Sequence, residues 1–141
     1  MKKRILQIIA LVLCCLCVFP LASCKGAIKG DEAKEYINEF LNAIESEDFE
    51  AAEEMLHPER PGDLEEFFAN VEGKMGVDFQ GGIEIEKYTG FRSSFYDSSI
   101  DGSSYELTFR AKVGDGDKVV TFAIEIVKND NGYGIYNLEL D

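Results

Sequence analysis

The chain has 141 residues, with 27 Asp and Glu against 14 Lys and Arg, four cysteines, one histidine and no tryptophan. A formal charge of −13 at pH 7 repels phosphate backbones and anionic lipid, which argues against a nucleic-acid-binding protein and against a domain lying on an anionic membrane. A single histidine excludes a histidine-rich metal site.

Met1-Lys2-Lys3-Arg4 is followed by an apolar run from Ile5 to Pro20, interrupted only by Gln7, which are the basic and hydrophobic regions of a secretory signal peptide. The run is about as long as a short transmembrane helix, so hydropathy alone leaves a retained signal anchor as the alternative. Next comes Leu21-Ala22-Ser23-Cys24, a branched apolar residue and two small residues ahead of a cysteine. This stretch resembles the lipobox of bacterial lipoproteins. The resemblance implies that the Cys24 thiol receives a diacylglycerol group and that a dedicated peptidase cuts between Ser23 and Cys24. The mature chain would then sit on the extracytoplasmic face of the cell membrane, on the outer surface or the periplasmic side.

With Cys14, Cys15 and Cys17 removed and Cys24 a thioether, the mature domain would have no disulfide, no thiol nucleophile and no cysteine-bound zinc. Loss of Lys2, Lys3 and Arg4 with the leader would take the charge from −13 to −16. Two acyl chains, at roughly 0.8 kcal/mol per buried methylene, would hold the protein against that charge. Lys25 and Lys29 would each add roughly 1 kcal/mol on an anionic leaflet. The tether from Lys25 to Gly30 reaches at most about 20 Å, which keeps the domain beside the bilayer.

Residues 31–141 suffice for one domain with a single core. Asp31 is the predicted N-cap of a helix whose apolar stripe is Ala33, Tyr36, Ile37, Phe40, Leu41 and Ile44. Asp48 caps a shorter helix with Phe49, Ala52 and Leu56 on one side, stopped at His57-Pro58. Asp63, with Glu66 three residues on, has the form of a capping box for a third helix that buries Leu64, Phe67, Phe68, Val71 and Met75 and ends at Gly73 or Gly76.

From Gly81 the apolar period changes from about 3.6 to about 2. Ile83 and Ile85 open a strand that runs toward Phe91. Tyr105 to Val113 alternates apolar with polar, Val119 to Val127 is apolar on both parities and reads as a central strand, and Tyr136, Leu138 and Leu140 close the chain. Gly114-Asp115-Gly116-Asp117 and Asn129-Asp130-Asn131-Gly132 supply hairpin turns, so the last three strands are predicted to be sequential antiparallel neighbours. Residues 91–104 are left unplaced.

Helices first and an antiparallel meander after them predict an α+β fold, three N-terminal helices packed on a curved antiparallel sheet. "AKEYINEFLNAIESEDFEAAEEML" together with "VVTFAIEIVKNDNGYGIYNLEL" resembles the nuclear-transport-factor-2-like superfamily, the cystatin-like roll, and within it small lipoproteins of unknown function. Members of that superfamily include isomerases and dehydratases that work in the cone between sheet and helices, which makes a cofactor-independent enzyme the alternative function. Against it, the predicted inner face, Ile83, Ile85, Tyr105, Leu107, Phe109, Ala111, Val113, Val120, Phe122, Ile124, Ile126, Tyr136, Leu138 and Leu140, carries no carboxylate, histidine or lysine. The expected activity is therefore binding rather than catalysis, with no cofactor and no metal.

His57 beside Pro58 reads as a partner for a helix C-terminal dipole. Tyr36, Tyr88, Tyr105 and Tyr136 read as core aromatics with one wet edge. Asp115, Asp117, Asp130 and Asn131 lack the spacing of an EF-hand and read as turns. The acids from Glu45 to Glu54 read as a solvated face. "RSSFYDSSIDGSS", residues 92–104, sets Phe95, Tyr96 and Ile100 among hydroxyls, and two readings stand level: a ligand-binding lip at the open end of the roll, or an irregular edge strand. Besides the membrane, reached through the lipid anchor, the expected partner is an envelope protein or a small apolar or cationic ligand, and no nucleic acid.

Overall fold

The computed structural model describes residues 26–141, so Ser23, Cys24 and the leader lie outside the described residues. Three helices, α1 (Gly30–Glu45), α2 (Phe49–Glu54) and α3 (Leu64–Met75), precede a short 3-10 turn at Phe79–Gly81 and four strands. The strands are β1 (Ile83–Asp97), β2 (Gly102–Val113), β3 (Val119–Asn129) and β4 (Gly132–Leu140). They form one antiparallel sheet in the order β1-β2-β3-β4, an α+β arrangement with the last three strands sequential neighbours.

The stripe on α1 buries Ala33, Ile37, Phe40, Leu41 and Ile44, and each large member contributes roughly 1.5–3 kcal/mol of transfer free energy. Asp31 does not cap this helix. The N-cap position is Lys29, without a side-chain bond, and Asp31 and Glu32 lie in the first turn, where they complement the helix dipole. The other caps form as predicted: Asp48 Oδ1 accepts from Ala51 N at 3.2 Å and Asp63 Oδ1 from Glu66 N at 2.8 Å. Gly76, left-handed at φ 62°, closes α3.

The acids from Glu45 to Glu54 do more than meet water. Glu53 Oε1 accepts from Leu64 N at 2.9 Å, which ties α2 to the start of α3, and Glu45 Oε1 accepts from Ile83 N, which anchors the start of β1 to the end of α1.

The core joins both layers through aromatic rings. Phe109 and Phe122 stack across β2 and β3 at 5.0 Å, Phe79 meets Phe122 edge-on at 6.3 Å, Phe68 meets Phe79 at 4.9 Å, and Phe40 of α1 completes the chain of contacts at 6.4 Å from Phe68. Such pairs add about 0.5–1.5 kcal/mol each beyond the area they bury.

α2 ends at Glu54, two residues short of the predicted Leu56. Met55 to His57 leave the helix to run beside β4: Ile135 N donates to Met55 O at 2.9 Å and His57 N donates to Ile135 O at 2.8 Å. This close approach explains Gly134. A Cβ there would meet His57 N, Leu56 C and Met55 O at 2.6 to 2.8 Å. The segment also covers part of the β4 edge.

The register slips between Glu125 and Ile126, so that Glu125 faces Asn137 while Ile126 faces Ile135. Tyr136 is the extra residue of this bulge. It is not an inner-face residue as predicted; Ile135, 1% exposed, takes that place, and Tyr136 turns its ring edge to His57 at 5.4 Å.

Candidate functional site

Residues 92–104 resolve into strand and turn. β1 continues to Asp97 and β2 starts at Gly102, with a register shift between Ser94 and Asp97 that leaves Phe95 and Tyr96 in a bulge. The backbone therefore follows the edge-strand reading, and the side chains of Phe95 and Tyr96 stand out from the bulge into solvent. Phe91 pairs with Leu107 and Tyr88 with Phe109, so both start from the inner face of the sheet. Phe91 stacks on Tyr105 at 6.1 Å yet stays 73% exposed; Phe95 is 74% and Tyr96 60% exposed.

A groove of about 380 Å³ opens at this end, lined by Phe95 and Tyr96 with Asp101, Gly102, Ser103, Asp130 and Gly26. Ile100 is half-buried and does not line the groove; its carbonyl is bound from beneath by Asn129. Tyr96 Oη donates to Asp101 Oδ1 at 2.8 Å, and this bond, with the charge of Asp101, holds the phenol above its ordinary value. Asp97 Oδ1 accepts from both the hydroxyl and the amide of Ser99, which lowers its carboxyl and keeps it ionised. The groove thus presents two aromatic rings and fixed negative charge. That combination suits a cation with an apolar body.

Gly26 brings the segment ahead of α1 into the site. Ser103 Oγ donates to Gly26 O at 2.9 Å and Ile28 is 5% exposed in the core, so the chain is fixed to the domain well before α1 begins. Of the expected tether, the described part from Gly26 onward is docked rather than extended.

Beneath the groove lies a polar node that sequence reasoning missed. His57 is not the dipole partner of α2, because the pairing of Leu56 with β4 carries it past the helix end and under the β3–β4 turn. It is 1% exposed. Nδ1 accepts from Glu59 N at 3.2 Å, which leaves Nε2 to donate to Asn129 Oδ1 at 3.1 Å. The same Oδ1 accepts from Asn131 N and Gly132 N, at 2.9 and 3.1 Å. Asn129 Nδ2 donates to Glu59 Oε2 at 2.8 Å and to Ile100 O at 3.0 Å, and Asn131 Nδ2 donates to Glu59 Oε1 at 2.9 Å. Bonds from Asn129 above all, then from Asn131, with the charge of Arg60 nearby, hold the Glu59 carboxyl low. One asparagine therefore joins the loop after α2 to both hairpin tips that frame the groove. The sequence signal was the "NDNG" turn, which identifies the bend but not its partners.

The tyrosines divide. Tyr36 Oη donates to Met55 O at 2.8 Å, and burial, with Tyr133 and Glu39 nearby, pushes it up to about 12. Tyr105 is buried, Tyr136 lies under Arg60, and Tyr88, 41% exposed, lies under Lys34. Among the described residues no three His, Cys, Asp or Glu side chains converge as a metal site requires. No described helix is long and apolar enough to cross a membrane.

No protein-family model, curated protein or solved structure matches this chain.

Proposed function

We propose that the protein is a membrane-anchored bacterial lipoprotein, cleaved before a lipidated Cys24, whose extracytoplasmic domain is a cystatin-like roll that binds rather than catalyses. The lipobox-like Leu21-Ala22-Ser23-Cys24 supports the anchor, and three helices followed by a four-stranded antiparallel sheet are compatible with the roll. The observation that carries the binding role is the groove, which Phe95 and Tyr96 line together with Asp101 and Asp130. Its chemistry suits a small organic ammonium: the rings take the apolar body and the negative charge takes the cation.

The isomerase or dehydratase alternative needs an ionisable group open to the space between helices and sheet. That space is filled by Phe40, Phe68, Phe79, Phe109 and Phe122, each less than 3% exposed.

Two experiments test the proposal. Cys24→Ala is expected to leave the leader attached and the chain unlipidated; an intact mass and a detergent partition equal to wild type would overturn the anchor. For the groove, choline titrated against the domain is expected to move the NMR signals of Phe95, Tyr96 and Ser103. Its neutral carbon isostere should bind more weakly by a factor of roughly 2 to 5, the scale of an exposed cation–π contact. Asp101→Asn with Asp130→Asn should shrink the difference to the part that the rings alone supply. Equal binding of both probes, or shifts elsewhere only, counts against an ammonium site.

A further inference from the structure

We infer that Phe91, Phe95 and Tyr96 rest in the interfacial layer of the bilayer beside the anchor, so that lipid holds the domain at two points. This rests on the lipoprotein reading above and adds the surface that faces the membrane.

The inference starts from where the chain leaves the domain. Gly26 lines the same groove as Phe95 and Tyr96, is bonded to Ser103, and is followed by the buried Ile28. Only Lys25 separates Gly26 from Cys24. Two residues of extended chain span at most about 7 Å. A glyceride on Cys24 therefore places the bilayer surface within reach of the β1–β2 hairpin end. That end carries Phe95 and Tyr96, and Phe91 follows further back along the same strand; these are the three most exposed large apolar side chains described. They share one edge strand.

Aromatic rings, above all those with one polar tip, are suited to the boundary between head groups and acyl chains, and Tyr96 keeps its hydroxyl satisfied by Asp101. Asp101 and Asp130 line the groove with Phe95 and Tyr96, and Asp97 follows Tyr96 in the chain; these acids oppose both deep insertion and an anionic surface, so the partner is a zwitterionic interface touched shallowly. A contact too weak to bind free protein suffices here, because the anchor makes it intramolecular. The groove mouth would then open at the head-group layer, where amphipathic ammonium groups concentrate.

The absence of native tryptophan makes the test direct. Phe95→Trp places a single probe in the row, and Met75→Trp places one at the opposite end of the sheet, beside the β2–β3 turn where Lys118 Nζ donates to Met75 O at 3.0 Å. Each lipidated protein is reconstituted in phosphatidylcholine vesicles with brominated acyl chains, after intact mass has been measured. The expected result is a blue-shifted emission for Phe95→Trp, quenched several-fold more than that of Met75→Trp, and less so when anionic lipid is added. A lipidated protein whose two probes are quenched equally, or whose Phe95→Trp probe is not quenched, overturns this inference alone. A mass without lipid at Cys24 overturns the anchor and this inference together. A blue shift without quenching means that a second copy or another protein covers the row, which also overturns it.

Discussion

Asn129→Ala is expected to destabilise the domain by about 3 kcal/mol, more than the loss of an ordinary surface asparagine, because it strips partners from several groups at once. His57 Nε2 would face no acceptor although its side chain is fully buried, the amides of Asn131 and Gly132 would lose Oδ1, and Ile100 O and Glu59 would lose a donor. Buried donors left alone cost about 1–3 kcal/mol each, and partial access of water to the turn keeps the total below their sum. Asn129→Asp separates the two halves of the role: it keeps an acceptor for His57 but sets a carboxylate against Glu59. It is therefore expected to be destabilised at pH 7 and to recover part of the loss in acid. Urea denaturation measures the cost, and amide exchange at Asn131 and Gly132 locates it. A loss below about 1 kcal/mol, the size of a typical net hydrogen bond, would mean that the node is not what braces the hairpin tips.

Phe122→Ala is expected to cost about 3–5 kcal/mol, the range for truncating a large aromatic in a packed core. Phe122 is 0% exposed, stacked on Phe109 and edge-on to Phe79, and it faces Leu140 across β3 and β4. The neighbours belong to the 3-10 turn and to the two strands on either side of β3, so no single one can move to fill the space. Phe91→Ala on β1 is the matched control, the same deletion at a ring that is 73% exposed, and is expected to change stability by less than about 0.5 kcal/mol. Equal shifts of the urea midpoint for the two variants would contradict the assignment of the core. The pair also separates roles: Phe91→Ala should weaken contact with the bilayer without weakening the fold.

Much of the architecture was legible because burial imposes a period that needs no partner to be read. The stripe on α1, the caps Asp48 and Asp63, the alternation of β2 and the turns at Gly114 and Asn131 depend on residues within one helix turn or one strand of each other. Where local readings failed, a contact from far along the chain intervened. Helix α2 gives up Leu56 because a parallel pairing with Ile135 offers its backbone other partners, and the same pairing moves His57 from a helix end into the interior. Tyr136 leaves the inner face because one extra residue in β4 shifts the pleat, an event no alternation pattern records.

The candidate site divides in the same way. Composition and spacing by themselves determined the acidic, α+β character of the chain, the apolar faces of helices and strands, and Phe95 and Tyr96 as apolar groups in a hydroxyl-rich stretch. Only tertiary structure decided that these rings meet Asp101, Asp130 and Gly26 around one groove, and that Asn129, His57 and Glu59 support it from below. The physical reason is range. Periodicity follows from steric rules within a few residues, whereas a groove and a hydrogen-bond node are made by groups 29 to 77 residues apart whose meeting depends on how the whole sheet pairs.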